Sequence, residues 1–179
     1  AIVAARWIVG VLLACSVLAV QACRATAPVA PGGDVPPLPP TVVLISIDGW
    51  RWDYHTKAPV PHLQRLMDRG VRAEGLVPAF PSKTFPNHYT IVTGLTPDHH
   101  GVIGNNMLDP ATGGRFSLSD RAAQQDPRWW GGEPIWVAAE RAGQATAAVF
   151  WPGSEAPILG VRPRYWQPYD HQMPGEARV

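Results

Sequence analysis

The chain has 179 residues, enough for one domain with a real hydrophobic core, and its 15 basic and 14 acidic residues leave a formal net charge of +1. That balance, with no basic run, argues against a nucleic-acid-binding groove. Twenty prolines, seventeen glycines and eight tryptophans describe a loop-rich α/β protein with aromatic-lined surfaces rather than a helical bundle.

The sequence opens at Ala1 rather than at Met and stops at Val179 without a recognisable terminal signal, so a fragment of a longer chain is expected. Arg6 precedes an uncharged run from Trp7 to Val20. The run is short for a membrane span and right for the apolar core of a secretory signal. Ala19 to Cys23, AVQAC, then offers a small-residue cleavage site. It also resembles a bacterial lipobox, in which Cys23 becomes the lipidated first residue and holds the mature protein to a membrane. Ordinary signal cleavage with an incidental Cys23 is the other reading, and the two stand side by side. Both imply export, to the periplasm or to an outer-membrane anchorage in a bacterium. No cysteine follows Cys23, so the mature chain cannot form an internal disulfide beyond it.

Residues 24–40, RATAPVAPGGDVPPLPP, lack large aromatics and are crowded with proline. Such a segment cannot bury enough surface to fold, and the expectation is an extended tether. The folded domain is expected over residues 41–179, after a signal over 1–23 and this linker.

Thr41 to Ile47, TVVLISI, is a nearly unbroken β-branched and aliphatic run, the pattern of a parallel strand covered on both faces. It ends at Asp48-Gly49. A carboxylate at the carboxyl end of a parallel strand lies at the edge where open α/β sheets place their ligands, although Asp-Gly is equally a common turn pair. Pro61 to Arg69 reads as a helix with Leu63, Leu66 and Met67 on one face and Gly70 as its stop. Val71 to Val77 is expected to return as a second strand, completing a right-handed strand-helix-strand unit.

Phe80 to Gly94, FPSKTFPNHYTIVTG, is a tight loop running into a helix. Pro86 suits the first turn, where its missing N–H costs nothing, and Gly94 suits the position just past the end. Thr84 then sits just before the helix start, where free N–H groups and the positive end of the dipole attract an anion beside its hydroxyl. A threonine or phenylalanine that merely caps a surface helix satisfies the same pattern.

From Leu95 to Trp130 turn residues dominate, and irregular loops are expected with a hairpin around Ala111 to Gly114. Glu133 to Ala142 is a helix candidate, with Pro134 in its first turn and Gly143 as its stop. Ala145 to Trp151, ATAAVFW, reads as a buried strand, and Pro163 to Asp170, PRYWQPYD, as an aromatic loop.

Hydrolysis of a phosphodiester is slow because the charged oxygens repel nucleophiles and a threonine hydroxyl is a weak one. A bound metal addresses both difficulties. Such a site needs hard oxygen ligands and imidazoles. Asp48 and Thr84 suit it, whereas none of the six histidines, at 55, 62, 88, 99, 100 and 171, has convincing spacing. His62 and His88 read as helix-face residues, and His99-His100 as a solvated turn pair.

The segments VLISIDGWRWDY at 43–54, FPSKTFPNHYTIVTGLTPDHHGVIGNNMLDP at 80–110, EPIWVAAERAG at 133–143 and FWPGSE at 150–155 are, in order, similar to the amino-terminal half of the ectonucleotide pyrophosphatase/phosphodiesterase family. That family belongs to the alkaline phosphatase superfamily, and the resemblance spans about Thr41 to Asp170. It implies an α/β fold with a largely parallel sheet flanked by helices, of which this chain holds the amino-terminal portion. It also implies a hydrolase with two Zn2+ ions that cleaves nucleotide phosphodiester or pyrophosphate bonds through a threonyl-phosphate intermediate.

Position by position, Asp48 of SIDG matches a zinc ligand, and Thr84 of KTFPN matches the nucleophile, which also touches zinc. Asn105 of GNNM matches the residue whose amide donates to a non-bridging phosphate oxygen, a role that stabilises growing negative charge. Phe85 matches the aromatic that stacks on a nucleobase, and Tyr169, preferred over Tyr165, would form the other side of that slot. The remaining zinc ligands of the family match nothing before Val179 and are expected beyond it. Two alternatives stand: a phospholipid or lysophospholipid phosphodiesterase of the same fold, and an inactive fragment that lacks those ligands.

Overall fold

The structure is a computed structural model that describes residues 40–177. The export signal and lipobox over 1–23, and the linker as far as residue 39, lie outside the described residues. Contacts divide the chain into Ala1–Leu44 and Ile45–Val179, and the second unit carries the architecture. Among the described residues no helix is long and apolar enough to cross a membrane.

Helices form where proline and glycine punctuate an apolar period. Helix α1 runs Pro61–Arg69 with Pro61 at its start, and the N–H of Gly70 closes it on the Leu66 carbonyl. Leu63 and Met67 are half-buried while Leu66 stays exposed, so the expected apolar face is only partly covered. Helix α2 runs Thr84–Thr93 and stops at Gly94, whose φ of 68° is the left-handed geometry that glycine adopts without strain. Pro86, Tyr89 and Val92 recur at helical spacing and form its buried face, whereas Ile91 is turned outward. A short helix, α3 (Pro97–His100), follows at once.

The hairpin expected around 111–114 is present. Strands β1 (Asn106–Leu108) and β2 (Arg115–Ser117) pair antiparallel, with Met107 opposite Phe116. Asp109 organises the turn: its carboxylate accepts from the Ala111 N–H and the Thr112 hydroxyl, and these bonds hold it below the usual carboxylate range. The side chain of Asp120 then caps helix α4 (Arg121–Gln125) by accepting from the Ala122 and Ala123 N–H groups. Helix α5 (Ile135–Arg141) starts after Pro134 and buries Trp136 and Val137. Strand β3 (Ala147–Val149) pairs in parallel with β4 (Tyr165–Gln167), so the aromatic loop expected over 163–170 contains a strand. Glu140 joins α5 to that pair, accepting from the Thr146 N–H and hydroxyl and from the Arg164 N–H.

The core is aromatic. Tyr89, Phe116, Trp130 and Trp136 are buried with Val92, Val102, Val137 and Ile158. Tyr89 and Phe116 meet Trp130 edge-on at centroid distances of 5.0 and 5.6 Å, a geometry that adds about 0.5–1.5 kcal/mol per pair beyond area burial. Gly153 lies against this cluster with φ 90°, and a Cβ there would sit 3.0 Å from ring carbons of both Trp130 and Tyr89.

Two expected strands do not form. Residues 41–47 and 71–77 are not strands, and Val42, Ile45, Val71, Leu76 and Val77 are exposed. A β-branched run supplies extended backbone and side chains that favour a sheet, but a strand exists only when a neighbour takes its ladder of N–H and C=O groups. Among the described residues no segment pairs with either run. The strand-helix-strand unit expected around α1 is therefore absent among the described residues, where the parallel pairing is β3 with β4.

Candidate active site

The first turn of α2 gathers most of the residues singled out above. Thr84 is the first residue of the helix, after Lys83 in extended backbone, and no side chain of the local loop caps the helix. The cap comes from a distant residue: Asn105 Oδ1 accepts from the Phe85 N–H at 3.0 Å. Asn105 is in turn fixed by its position before β1, its carbonyl accepting from the Leu118 N–H at 2.9 Å. Because a backbone N–H can only donate, this bond sets the side-chain amide with its oxygen toward the helix. The two Nδ2 protons remain as donors and make no hydrogen bond among the described residues.

Asp48 approaches from the other side. It lies in the turn after residues 41–47, where Gly49 has φ 68°, and its exposed carboxylate accepts from the half-buried Thr84 hydroxyl at 3.1 Å. A hydroxyl at a helix N-terminus, a carboxylate against it and a side-chain amide on the N–H of the next residue therefore meet at one helix end.

The loop entering this turn is clamped by Asn87, whose Oδ1 accepts from the Ala79 N–H at 2.7 Å while Nδ2 donates to the carbonyls of Ala79, Pro81 and Lys83 at 3.2, 3.0 and 3.1 Å. His88 forms a bridge, with Nδ1 2.7 Å from the Thr84 carbonyl and Nε2 2.8 Å from the Ser46 hydroxyl. Trp151 seats it, meeting the imidazole edge-on at 5.6 Å and donating from Nε1 to the His88 carbonyl at 3.1 Å. Sequence reading treated His88 as a helix-face residue and passed over Asn87 and Ser46. The available signal was spacing: residues three and four positions after Thr84 lie above it on the same face.

Phe85 is half-buried and packs on Phe116 and Trp130 at centroid distances of 5.8 and 6.0 Å. Tyr169 is exposed and edge-on to Phe150 at 5.8 Å. The Tyr169 carbonyl accepts from Arg121 Nη2 at 3.1 Å, and the same guanidinium pairs through Nη1 with the buried Glu155, also at 3.1 Å. Asp48, Thr84, Phe85 and Asn105 are thus brought together, while no ring contact joins Tyr169 to Phe85 among the described residues.

The histidine pair is split. His99 is exposed beside Asp98 and Thr96. His100 is fully buried, contrary to the solvated turn pair expected, because α3 folds it against α2. Its Nδ1 accepts from the Val102 N–H at 3.1 Å, so Nε2 carries the proton toward the Thr90 hydroxyl at 3.0 Å. Burial pushes its pKa below the ordinary value, only partly countered by the Pro86 carbonyl and by Asp98.

The donor set suits a hard metal ion in part. Asp48 Oδ2 and Thr84 Oγ1 are adjacent oxygens of the right kind. Among the described residues no group of three or more His, Cys, Asp or Glu side chains is placed to complete such a site.

Comparison with known proteins bears on the whole arrangement. A family model described as type I phosphodiesterase / nucleotide pyrophosphatase matches residues 42–179. An uncharacterised pyrophosphatase/phosphodiesterase of Schizosaccharomyces pombe is 51% identical over 126 residues, which cover 70% of this chain and 26% of that protein. Human ectonucleotide pyrophosphatase/phosphodiesterase family member 1 is 43% identical over 143 residues, covering 79% and 15%. Among solved structures, murine ectonucleotide pyrophosphatase/phosphodiesterase 5 superposes with a TM-score of 0.68 at 41% identity, over 73% of this chain and 35% of that one. An inactive threonine-to-alanine variant of the same murine protein, in complex with AMP, superposes with a TM-score of 0.69 at 40% identity. The chain thus spans between 15% and 35% of the length of these relatives. The fold is alkaline-phosphatase-like, of which the described residues form part. With a match over residues 42–179 and helix α2, its flanking loop and Asn105 arranged as above, the chain belongs to the type I phosphodiesterase / nucleotide pyrophosphatase family.

Proposed function

We propose that the protein of which this chain forms part hydrolyses nucleotide phosphodiester or pyrophosphate bonds, with Thr84 as nucleophile. The observation that carries this reading is the Thr84 hydroxyl at the first residue of α2, 3.1 Å from Asp48 Oδ2. In the first half-reaction Thr84 Oγ bonds to phosphorus as the bond from phosphorus to the leaving oxygen breaks, and the hydroxyl proton passes to water or to that departing oxygen. In the second, water attacks the threonyl-phosphate, releasing a phosphate monoester and restoring the hydroxyl, so that one water is consumed per turnover.

The residues around Thr84 have separable tasks. The amide of Asn105, with its oxygen committed to the Phe85 N–H, directs Nδ2 donors at a non-bridging oxygen, where negative charge grows in the transition state. The helix dipole favours the phosphate at the same place, and the Thr84 N–H is the donor of the first turn that stays unpaired among the described residues, since Asn105 takes the Phe85 N–H, Pro86 has none and Asn87 donates to the Lys83 carbonyl. Phe85 and Tyr169 are assigned to the nucleobase, stacking being the contact that flat rings make best. The nearest support for a nucleotide is the AMP complex of the murine neighbour named above.

Asp48 and Thr84 would supply two oxygen ligands to a zinc pair, which when bound favours ionisation of the hydroxyl and neutralises charge on the transferring group. Other ligands would have to lie outside the described residues. Residues 24–179 alone should accordingly hold little zinc and show little phosphodiesterase activity. Stoichiometric zinc retained by that purified segment at micromolar chelator would contradict this. Export rests on the apolar run at 7–20, and membrane attachment through Cys23 on the AVQAC site, which mass measurement of the mature amino terminus would settle.

The test of the reading is steady-state hydrolysis of p-nitrophenyl thymidine monophosphate by the full-length protein and its Thr84→Ala variant, with a lysophospholipid as second substrate. Loss of nucleotide hydrolysis in Thr84→Ala supports the assignment, and equal rates refute it. Preference for the lysophospholipid would move the substrate class and leave the nucleophile in place.

A further inference from the structure

Asp48 and Thr84 come from segments 36 residues apart, and their spacing has to be held by something other than the bond between them. If Thr84 is the nucleophile, its hydroxyl proton leaves in every turnover and the Thr84–Asp48 hydrogen bond is lost with it. The 46–48 segment brings Asp48 to that bond. Among the described residues, the second side-chain tie from this segment to α2 is the contact of Ser46 with His88.

That tie involves no reacting atom. A carbonyl only accepts, so His88 Nδ1, 2.7 Å from the Thr84 carbonyl, carries a proton and donates. In the neutral imidazole Nε2 is then an acceptor, and the Ser46 hydroxyl, 2.8 Å away, donates to it. The ring is not free to swing, because Trp151 lies edge-on to it and donates to the backbone of the same residue. One rigid ring therefore joins the backbone of the nucleophile to a residue two positions before the Asp48 carboxylate.

We propose that His88 is a positioning residue, which sets the spacing of Thr84 and Asp48 by bridging the Thr84 carbonyl to the Ser46 hydroxyl. The proposal rests on the reading of Thr84 as nucleophile. Ser46 is the clean handle: it lies outside α2, and replacing it removes the bridge without changing a residue of that helix.

The experiment compares Ser46→Ala, Ser46→Thr, His88→Phe and the Ser46→Ala/His88→Phe double variant of the full-length protein, with p-nitrophenyl thymidine monophosphate as substrate. His88→Phe keeps a ring against Trp151 while removing both nitrogens. A misplaced nucleophile slows the chemical step more than it weakens binding, so Ser46→Ala and His88→Phe should each lower kcat about tenfold with KM within about twofold. The double variant should be no slower than the slower single one, because both break one bridge, and Ser46→Thr should keep the wild-type kcat. Melting temperatures taken alongside identify a merely structural role, which would lower stability and leave the kcat of folded enzyme intact. Wild-type kcat in Ser46→Ala, or multiplicative losses in the double variant, would overturn the proposal. Thr84→Ala run in parallel separates the two readings. Full activity there removes the nucleophile assignment as well, whereas an inactive Thr84→Ala beside a fully active Ser46→Ala removes the bridge alone.

Discussion

Asn105 performs two tasks with two different atoms, and a single substitution can separate them. Its Oδ1 caps α2 through the Phe85 N–H, and its Nδ2 is the donor assigned to substrate. In Asn105→Ala both are lost. The uncapped N–H costs about 1 kcal/mol, up to about 2, and the missing donor costs about 10²–10³ in kcat. Asn105→Asp behaves differently. A carboxylate oxygen still accepts from the Phe85 N–H, and its charge at a helix N-terminus adds about 0.3–1 kcal/mol. The donor, however, is replaced by an anion facing a phosphate oxygen. Asn105→Asp should therefore melt at or above the wild-type temperature while losing at least about 10² in kcat, and Asn105→Ala should melt a few degrees lower with a similar kinetic loss. Thermal melts and hydrolysis of p-nitrophenyl thymidine monophosphate on the same preparations give both numbers. An Asp variant as unstable as the Ala variant would refute the cap, and one with wild-type kcat would refute the donor.

Three further outcomes follow from the core. His100 is neutral in the fold with its pKa below the ordinary value, so its contribution is complete above about pH 6.5 and is lost as pH falls through the depressed native value, where the unfolded chain takes up the proton first. Urea titrations between pH 7.5 and 5 should show this decline, reduced in His100→Asn, and equal slopes in the two proteins would contradict it. Gly153→Ala places a Cβ 3.0 Å from the Trp130 and Tyr89 rings at φ 90° and should cost about 1–3 kcal/mol, so an unchanged melting temperature would argue against this packing. Tyr89 Oη is buried with no hydrogen-bond partner among the described residues, so Tyr89→Phe should be neutral or stabilising by up to about 1 kcal/mol, and a loss of more than that would contradict it.

What the sequence disclosed, and what it hid, follows the range of the interactions involved. Pro61, Pro86 and Pro134 begin helices, or sit in their first turns or caps, and Gly70, Gly94 and Gly143 follow them, so α1, α2 and α5 were legible to within a residue or two. The hairpin turn was legible because its Asp109 and glycines act locally. Residues 41–47 and 71–77 carry a strand pattern, but strand formation depends on a partner that the pattern does not contain. Helix α4 was missed inside a stretch dominated by turn residues, although Asp120 is an ordinary cap signal.

At the site, Asp48, Thr84, Phe85 and Asn105 could be named from their motifs, and the described contacts gather these four. Their supports could not. The reach of Asn105 to the Phe85 N–H crosses 20 residues and that of His88 to Ser46 crosses 42, distances over which one sequence carries no pairing signal. His100 was misread for the same reason, since its burial is created by the meeting of α2 and α3.

The most direct test of the central claim is to catch the covalent intermediate. Full-length protein turning over a nucleotide phosphodiester, quenched in acid within milliseconds and digested, should give a peptide spanning residues 80–94 that is heavier by one nucleotidyl group on Thr84, absent from Thr84→Ala. Hydrolysis that proceeds at the wild-type rate with the adduct on another residue, or in a Thr84→Ala protein that still turns over, would contradict it.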